Sequence, residues 1–140
     1  MENPESDINA KDNDGNTALD YARQFGYNQI VQLLCPKAEG CIPLLDAAMV
    51  GDEKVVRNLI NEGVDVNSRD SRGKTALIWA ARYGHTKVAK ILLENSDINV
   101  KEKDEDGTTA LILAAMYGHE NVTRLLLENL ANVNAKVGSE

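Results

Sequence analysis

Two histidines, two cysteines and three glycine turns flanked by acids or lysine are the groups in this 140-residue sequence from which catalysis, metal binding or phosphate binding could be built. Gly73-Lys74-Thr75 has the form of the end of a phosphate-binding loop, in which a lysine and a hydroxyl reach phosphate and magnesium. Ser68 stands where the first glycine of that loop belongs and no apolar strand precedes it, so the backbone cradle is missing. Asp12-Asn13-Asp14-Gly15 and Asp104-Glu105-Asp106-Gly107 space their carboxylates as a calcium loop does. Tyr21 and Leu113 fall where each loop needs its closing bidentate glutamate, and both segments read as turns. His85 and His119 each follow a glycine, which assigns them to helix starts rather than to a general base or a metal ligand. Asn121-Val122-Thr123 matches a glycosylation acceptor but lies on an amphipathic helix, where the match is coincidence. Cys35 and Cys41 are too few for a disulfide scaffold and read as free thiols of a reducing compartment. The expectation is a chain with no catalytic residues, no metal and no cofactor.

The elements that carry these residues are short helices. Aromatic residues are only 4% of the chain, so its core must be Leu, Ile, Val and Ala, and an alanine-rich core brings helices close together. A formal charge of −7 argues against nucleic acid or an anionic membrane as partner, because both need clustered Lys and Arg. The longest apolar or aromatic run, Ala110 to Tyr117, is eight residues against the roughly 20 of a spanning helix. Met1-Glu2-Asn3-Pro4-Glu5 is acidic and leads into no apolar stretch, so no secretory signal is expected and the location is read as cytoplasmic.

Internal repetition organises the whole sequence. Gly15-Asn16-Thr17-Ala18-Leu19, Gly73-Lys74-Thr75-Ala76-Leu77 and Gly107-Thr108-Thr109-Ala110-Leu111 are one unit, and Gly40-Cys41-Ile42-Pro43-Leu44 is a degraded copy. Each is followed 11 residues later by a second glycine: Gly26, Gly51, Gly84 and Gly118. Thr17, Thr75 and Thr109 suit a helix start, and Pro43 is tolerated in a first turn. Alanines then leave one helix face without bulk, and the glycine supplies the left-handed stop. A second helix follows, with apolar residues at helical spacing: Ile30, Val31, Leu33 and Leu34; Val55, Val56, Leu59 and Ile60; Val88, Ile91, Leu92 and Leu93; Val122, Leu125, Leu126 and Leu127. Extended, turn-rich fingers close the units at Val64-Asp65-Val66-Asn67, Asp97-Ile98-Asn99 and Ala131-Asn132-Val133-Asn134.

This pattern resembles the ankyrin repeat, a unit of about 33 residues built from a β-turn and two antiparallel helices. Gly-x-Thr-Ala-Leu, the paired alanines, Gly84-His85, Gly118-His119 and the Val-Asn finger all recur in register over nearly the whole chain. Ala18, Ala76 and Ala110 replace the family's usual proline, and Asp20, Leu45, Ile78 and Ile112 its histidine, departures that predict a weaker helix-start network. The resemblance implies an all-α, right-handed helical solenoid of helix-turn-helix repeats with β-turn fingers, binding other proteins through the fingers and the concave inner-helix face, with no chemistry.

The order of the units is irregular. Gly40 to Gly73 spans 33 residues and Gly73 to Gly107 spans 34, but Gly15 to Gly40 only 25. Cys35-Pro36-Lys37-Ala38-Glu39 replaces an entire finger, which divides the chain into a unit over 1–38 and three units over 39–140. Unit two is similar to an amino-terminal cap, with Asp46 in the slot of Tyr21, Trp79 and Leu113, where a carboxylate prefers water to a neighbouring helix. Unit one is similar to a carboxy-terminal cap, and Asn132-Val133-Asn134-Ala135-Lys136 matches Asp7-Ile8-Asn9-Ala10-Lys11. The sequence reads as a permutation ordered two, three, four, one, or as a junction between arrays. A linker of six steps spans at most about 22 Å and cannot carry unit one past three stacked units to the end of unit four. Unit one is left to pack irregularly on unit two or, the favoured reading, to dock on unit four of a second chain with residues 132–136 as incoming finger.

Partner contacts are expected in two places. Gln24 and Phe25, Met49 and Val50, Arg82 and Tyr83, Met116 and Tyr117 fill the two slots before the glycine that ends each first helix, which in this family face the groove; the alternative is that they only cover the helix tips. The fingers add Ser71, Arg72 and Lys74, and the elongated tip with Lys101, Glu102, Lys103, Glu105 and Asp106, either selecting a partner or forming a solvated loop. The expected partner is another protein, or a second copy of this chain.

Overall fold

The computed structural model describes residues 8–36 and 41–138, with side chains to residue 130. Eight helices and no strand lie among the described residues: α1 (Ala18–Gln24) and α2 (Asn28–Leu34) in unit one, α3 (Pro43–Val50) and α4 (Glu53–Asn61) in unit two, α5 (Ala76–Tyr83) and α6 (Thr86–Leu93) in unit three, α7 (Ala110–Met116) and α8 (Glu120–Gly138) in unit four. The all-α, solenoid-type reading holds. The 38/39 boundary, residues 1–7 and the linker residues 37–40 lie outside the described residues.

Inner helices begin where a hydroxyl meets an orphan N–H. Thr17, Thr75 and Thr109 accept from the backbone of Asp20, Ile78 and Ile112, and Pro43 opens the helix of unit two. Asp20 does not weaken this network: its Oδ2 accepts the Thr17 N–H at 2.9 Å and completes a capping box. Gly51 and Gly84 then stop α3 and α5 in the left-handed conformation.

Stacking follows from the small residues. Ala48, Ala80 and Ala114 are fully buried, and α3, α5 and α7 form one row while α4, α6 and α8 form a second. Leu44, Leu45, Leu77, Ile78, Val56, Val88, Leu92, Val122 and Leu126 fill the space between the rows. Each histidine locks a neighbour. His85 Nε2 lies 2.8 Å from the Met49 carbonyl and His119 Nε2 2.8 Å from that of Arg82, so the imidazoles sit at helix starts without capping them and bridge instead to the preceding unit. A Cβ on Gly51 would come within 2.7 Å of His85 Nδ1, and one on Gly84 would collide with His119, which is why glycine stands at both places.

The acidic loops are turns held by one aspartate each. Oδ1 of Asp12, Asp70 and Asp104 accepts from the backbone two and four residues ahead, at 2.9 to 3.0 Å. Their second oxygens take Tyr21 Oη, Trp79 Nε1 at 3.0 Å and Lys74 Nζ at 2.9 Å. Lysine serves in unit four because Leu113, the equivalent of Tyr21 and Trp79, has no donor. Fingers also bind one another, Asn67 through the Asp97 carbonyl and the Asn99 N–H, and Glu105 N–H through the Arg72 carbonyl.

The expected last finger is not formed. α8 runs through residues 131–134 to Gly138, because Leu130 stands where Gly63, at φ 90°, ends the outer helix of unit two. Residues 132–136 therefore offer helix, not an incoming finger.

Candidate functional site

Unit one does not extend the row of inner helices. Its two helices pack on each other, and it meets the fingers and inner helices of units two and three through side chains and helix-end carbonyls. In the single chain the irregular intrachain arrangement is thus the one adopted. The contact is built on Arg23, 1% exposed, whose Nε donates to Asp46 Oδ1 at 2.8 Å. Asp46 is accordingly not a water-facing cap residue: it is half buried as the partner of Arg23. Burial pushes its pKa up, further than Arg23 pulls it down, and Asp70 adds to the rise.

Around this pair lie the donors of unit three. Tyr83 Oη donates to the Arg23 and Gln24 carbonyls at the end of α1, and Arg82 Nη2 donates to the Gln24 carbonyl at 2.8 Å. The Arg82 guanidinium sits over the rings of Tyr83 and Tyr117, 5.5 and 4.8 Å from their centroids, and Nη1 donates to Tyr117 Oη at 2.7 Å. Trp79 stacks on Tyr83 with centroids 6.0 Å apart. Burial raises the Tyr83 pKa, so its hydroxyl stays a donor at neutral pH. From the finger, Ser71 Oγ donates to Asp20 Oδ1 at 2.9 Å and Arg72 Nη1 to the Asp14 carbonyl at 3.1 Å.

Cys35 and Cys41 are not free thiols. They form a disulfide, with Cα atoms 5.2 Å apart, because the seating of unit one brings the end of α2 back to the start of α3. The ground for reading a reducing compartment goes with it. Asp46 Oδ2 lies 2.8 Å from Cys35 Sγ and 3.3 Å from Cys41 Sγ, so these three residues have the ligand types and proximity of a metal trio. The disulfide uses both thiolates that a metal would need.

The other expected contact residues divide by environment. Met49 is 2% exposed and belongs to the core, so it offers no groove contact; Val50 is half buried. Gln24, Arg82 and Tyr83 are engaged between unit one and unit three, whereas Phe25, Met116 and Tyr117 are 58, 64 and 46% exposed. Ser71 and Arg72 hold unit one, and Lys74 serves Asp104. Glu102 pairs with Arg69 at 2.6 Å and the Lys103 carbonyl accepts from the same guanidinium; Glu105 lies 3.5 Å from Arg72 Nη1 and is half exposed, and the side chains of Lys101 and Asp106 reach solvent. A cleft of about 470 Å³ remains between unit one and the fingers, with Trp79, Arg82, Met116 and Tyr117 on its wall. Arg23 and Asp20, the anchors of unit one, carried no signal of their own; a buried arginine shows itself only once its carboxylate partner is placed.

No helix among the described residues is long and apolar enough to cross a membrane. Residues 44–137 match the family model for ankyrin repeats in three copies, and residues 14–39 match that for a single ankyrin repeat. Over 100 residues the chain is 36% identical to neurogenic locus notch homolog protein 1 of Xenopus laevis. Over 99 residues it is 34% identical to the protein of the same name from Homo sapiens and to human neurogenic locus notch homolog protein 2. These alignments cover 64 to 65% of this chain but only 4% of the length of each relative. With most of its described length matched in the register that the capped helices and interlocked glycines set, the chain belongs to the ankyrin repeat family.

Proposed function

We propose that this chain is a non-enzymatic protein-recognition module whose binding surface is made of finger tips and inner-helix ends. Ankyrin repeats generally mediate protein–protein interaction. The observation that carries the reading here is the exposure of Phe25, Met116 and Tyr117 beside a cleft walled by Trp79 and Arg82, since aromatic, Met and Arg side chains dominate interface energetics. Lys101, Glu105 and Asp106 add a mixed-charge rim suited to a protein partner rather than to a polyanion. The test is capture of crosslinked partners by the full chain and by the Phe25→Ala and Met116→Ala variants. A specific partner should weaken by at least about 1 kcal/mol per residue with the melting temperature unchanged. Capture by the variants equal to that by the full chain would sink the assignment.

A second reading, self-association, is supported by where the apolar surface lies. Phe25, Tyr27, Ile30 and Leu33 are exposed on unit one, and Ile112, Met116, Tyr117 and Leu127 on unit four; Val55 is the one other large exposed apolar side chain among the described residues. Nothing covers Gly118, whose equivalents Gly51 and Gly84 carry a histidine of the next unit. One copy's unit one against another's unit four is a head-to-tail contact that closes into a ring or extends as a filament. Sedimentation should show concentration-dependent association that Leu33→Asp or Leu127→Asp abolishes, and a strict monomer at high micromolar concentration refutes it.

A further inference from the structure

What unit one offers to the rest of the chain is the carboxy-terminal end of a helix. The last carbonyls of a helix have no partners within it and carry the negative end of its dipole. Here the carbonyls of Arg23 and Gln24 are met by the Tyr83 hydroxyl and the Arg82 guanidinium, the latter held between two tyrosine rings. One helical turn supplies the other half of the contact, the buried Arg23 side chain on Asp46. Asp46 is a carboxylate in a slot that holds Trp79 or Leu113 in the units above, and its burial is costly without a cation. Leu19, Ala22 and Val31 of unit one are buried in the shared apolar core, and the polar part of the receiving face adds the specificity: donors for a helix end, and one anion for a basic side chain beside it.

We propose that this face is a receptor for the carboxy-terminal end of a helix bearing an arginine, that unit one is its resident occupant, and that the Cys35–Cys41 disulfide excludes an external helix of the same kind. The proposal rests on the reading of this surface as the partner surface and adds the partner's chemistry and the control of access. The disulfide holds the end of α2 within 5.2 Å of the start of α3 and lies against the carboxylate that binds Arg23. Opening it needs a dithiol reductant. Two electrons and two protons pass to the S–S bond, which breaks to leave two thiols, and the reductant's own thiols close into a disulfide. The six steps from residue 35 to 41 can then stretch to about 22 Å, which lowers the effective concentration of unit one at its seat.

The probe is a fluorescent peptide of residues 8–36 of this chain, titrated against the full chain oxidised, reduced by dithiothreitol, and as the Cys35→Ser/Cys41→Ser variant. Binding should be about tenfold or more tighter to the two open forms than to the oxidised one. The same peptide with Arg23→Gln should lose about tenfold on the open forms, and Asp46→Asn in the receptor should remove that difference. As a second measurement, hydrogen exchange over residues 18–24 of the full chain should quicken about tenfold on reduction while residues 76–83 stay protected. Equal affinity for open and oxidised chains, no discrimination by Arg23, no binding to the open forms, or exchange over 18–24 indifferent to reduction each overturn the proposal. Tyr117 holds Arg82 and so belongs to the seat, whereas Met116 is 64% exposed and takes no part in the contacts that hold unit one's helix end, so partner capture that depends on Met116 stands or falls separately.

Discussion

Units two to four and the seat of unit one share one apolar core but are fastened to their neighbours by different contacts. In the stack, helices meet through fully buried alanines, and a histidine fills the space left by the preceding unit's glycine. At the seat of unit one, Leu19, Ala22 and Val31 join the same apolar core, but Gly26 is approached by Tyr83 in place of a histidine, α1 joins no row, and an ion pair, helix-end carbonyls and a disulfide are added to the contact. Apolar stacking is non-directional and costs little to repeat, whereas a buried ion pair depends on its geometry and is lost as a whole when one partner goes. The stack is therefore the durable part of the molecule and the junction the part that can be switched.

The sharpest way to break this contrast is Asp46→Ala, which deprives the buried Arg23 of its carboxylate. Loss of one member of such a pair costs about 3–5 kcal/mol. Hydrogen exchange should show residues 18–34 losing protection while 76–83 keep theirs, and equal loss in both would mean that the junction is one with the stack. Next comes a pair of glycine substitutions at almost the same φ, 72° at Gly84 and 74° at Gly118. Gly118→Ala meets no neighbour and should cost about 1–2 kcal/mol in backbone strain. Gly84→Ala also strikes His119, which adds about 1–3 kcal/mol of overpacking. Urea midpoints that do not separate the two variants would remove the interlock from the account.

A smaller effect is expected at the caps. Thr75→Ala and Thr17→Ala each forfeit about 1 kcal/mol. The first should lower the main thermal transition and the second should appear only as faster exchange within unit one. The smallest effect is on pH, and its sign differs between the two regions. Burial works to raise the Asp104 pKa, but the Thr108 N–H and Lys74 outweigh it and the pKa is lowered. Its stabilisation of the finger is present above the ordinary 3.8 and is lost as pH falls through the lower folded value. Asp46 is raised, so the seated form takes up its proton first, and seating is favoured as pH falls from neutral towards 3.8. Carboxyl carbon NMR titration checks both, and Asp46 titrating below Asp104 would contradict the contrast.

How far the molecule could be anticipated from its residues follows the same division. Thr17, Thr75 and Thr109, the paired alanines and Gly51 and Gly84 act within a few residues of themselves, so their types and spacing report their roles. The Asp12, Asp70 and Asp104 turns were legible for the same reason. Met49 departs from the expectation because one slot differs in burial between units: Met116, its equivalent, is 64% exposed while Met49 is 2% exposed, and a sequence repeat does not say which copy is covered by a neighbour. The pairing of Arg23 with Asp46 and the closing of Cys35 on Cys41 depend on where unit one comes to rest. That is a non-local contact with no periodic signature. The extension of α8 beyond residue 131 reflects the substitution of Leu130 for a stop glycine, a signal that the Val-Asn match outweighed.

The glycine–histidine interlock also bears on how such a chain can grow and diverge. Gly51 and His85 are 34 residues apart, and Gly84 and His119 are 35 apart, yet each histidine Nε2 lies the same 2.8 Å from the carbonyl two residues before its glycine, Met49 and Arg82. The additional residue is absorbed in the segment between the helices, where the chain bulges without moving the ring. Length change is thus neutral in a finger and disruptive inside either helix, where one residue turns the next ring away from its glycine. Genetic duplication of a whole unit carries a glycine and a histidine together and leaves every lock filled but the last. Selection on such a lineage would preserve the number of helical residues per unit while letting finger lengths drift, so that new binding preferences arise at the tips without the scaffold being rebuilt.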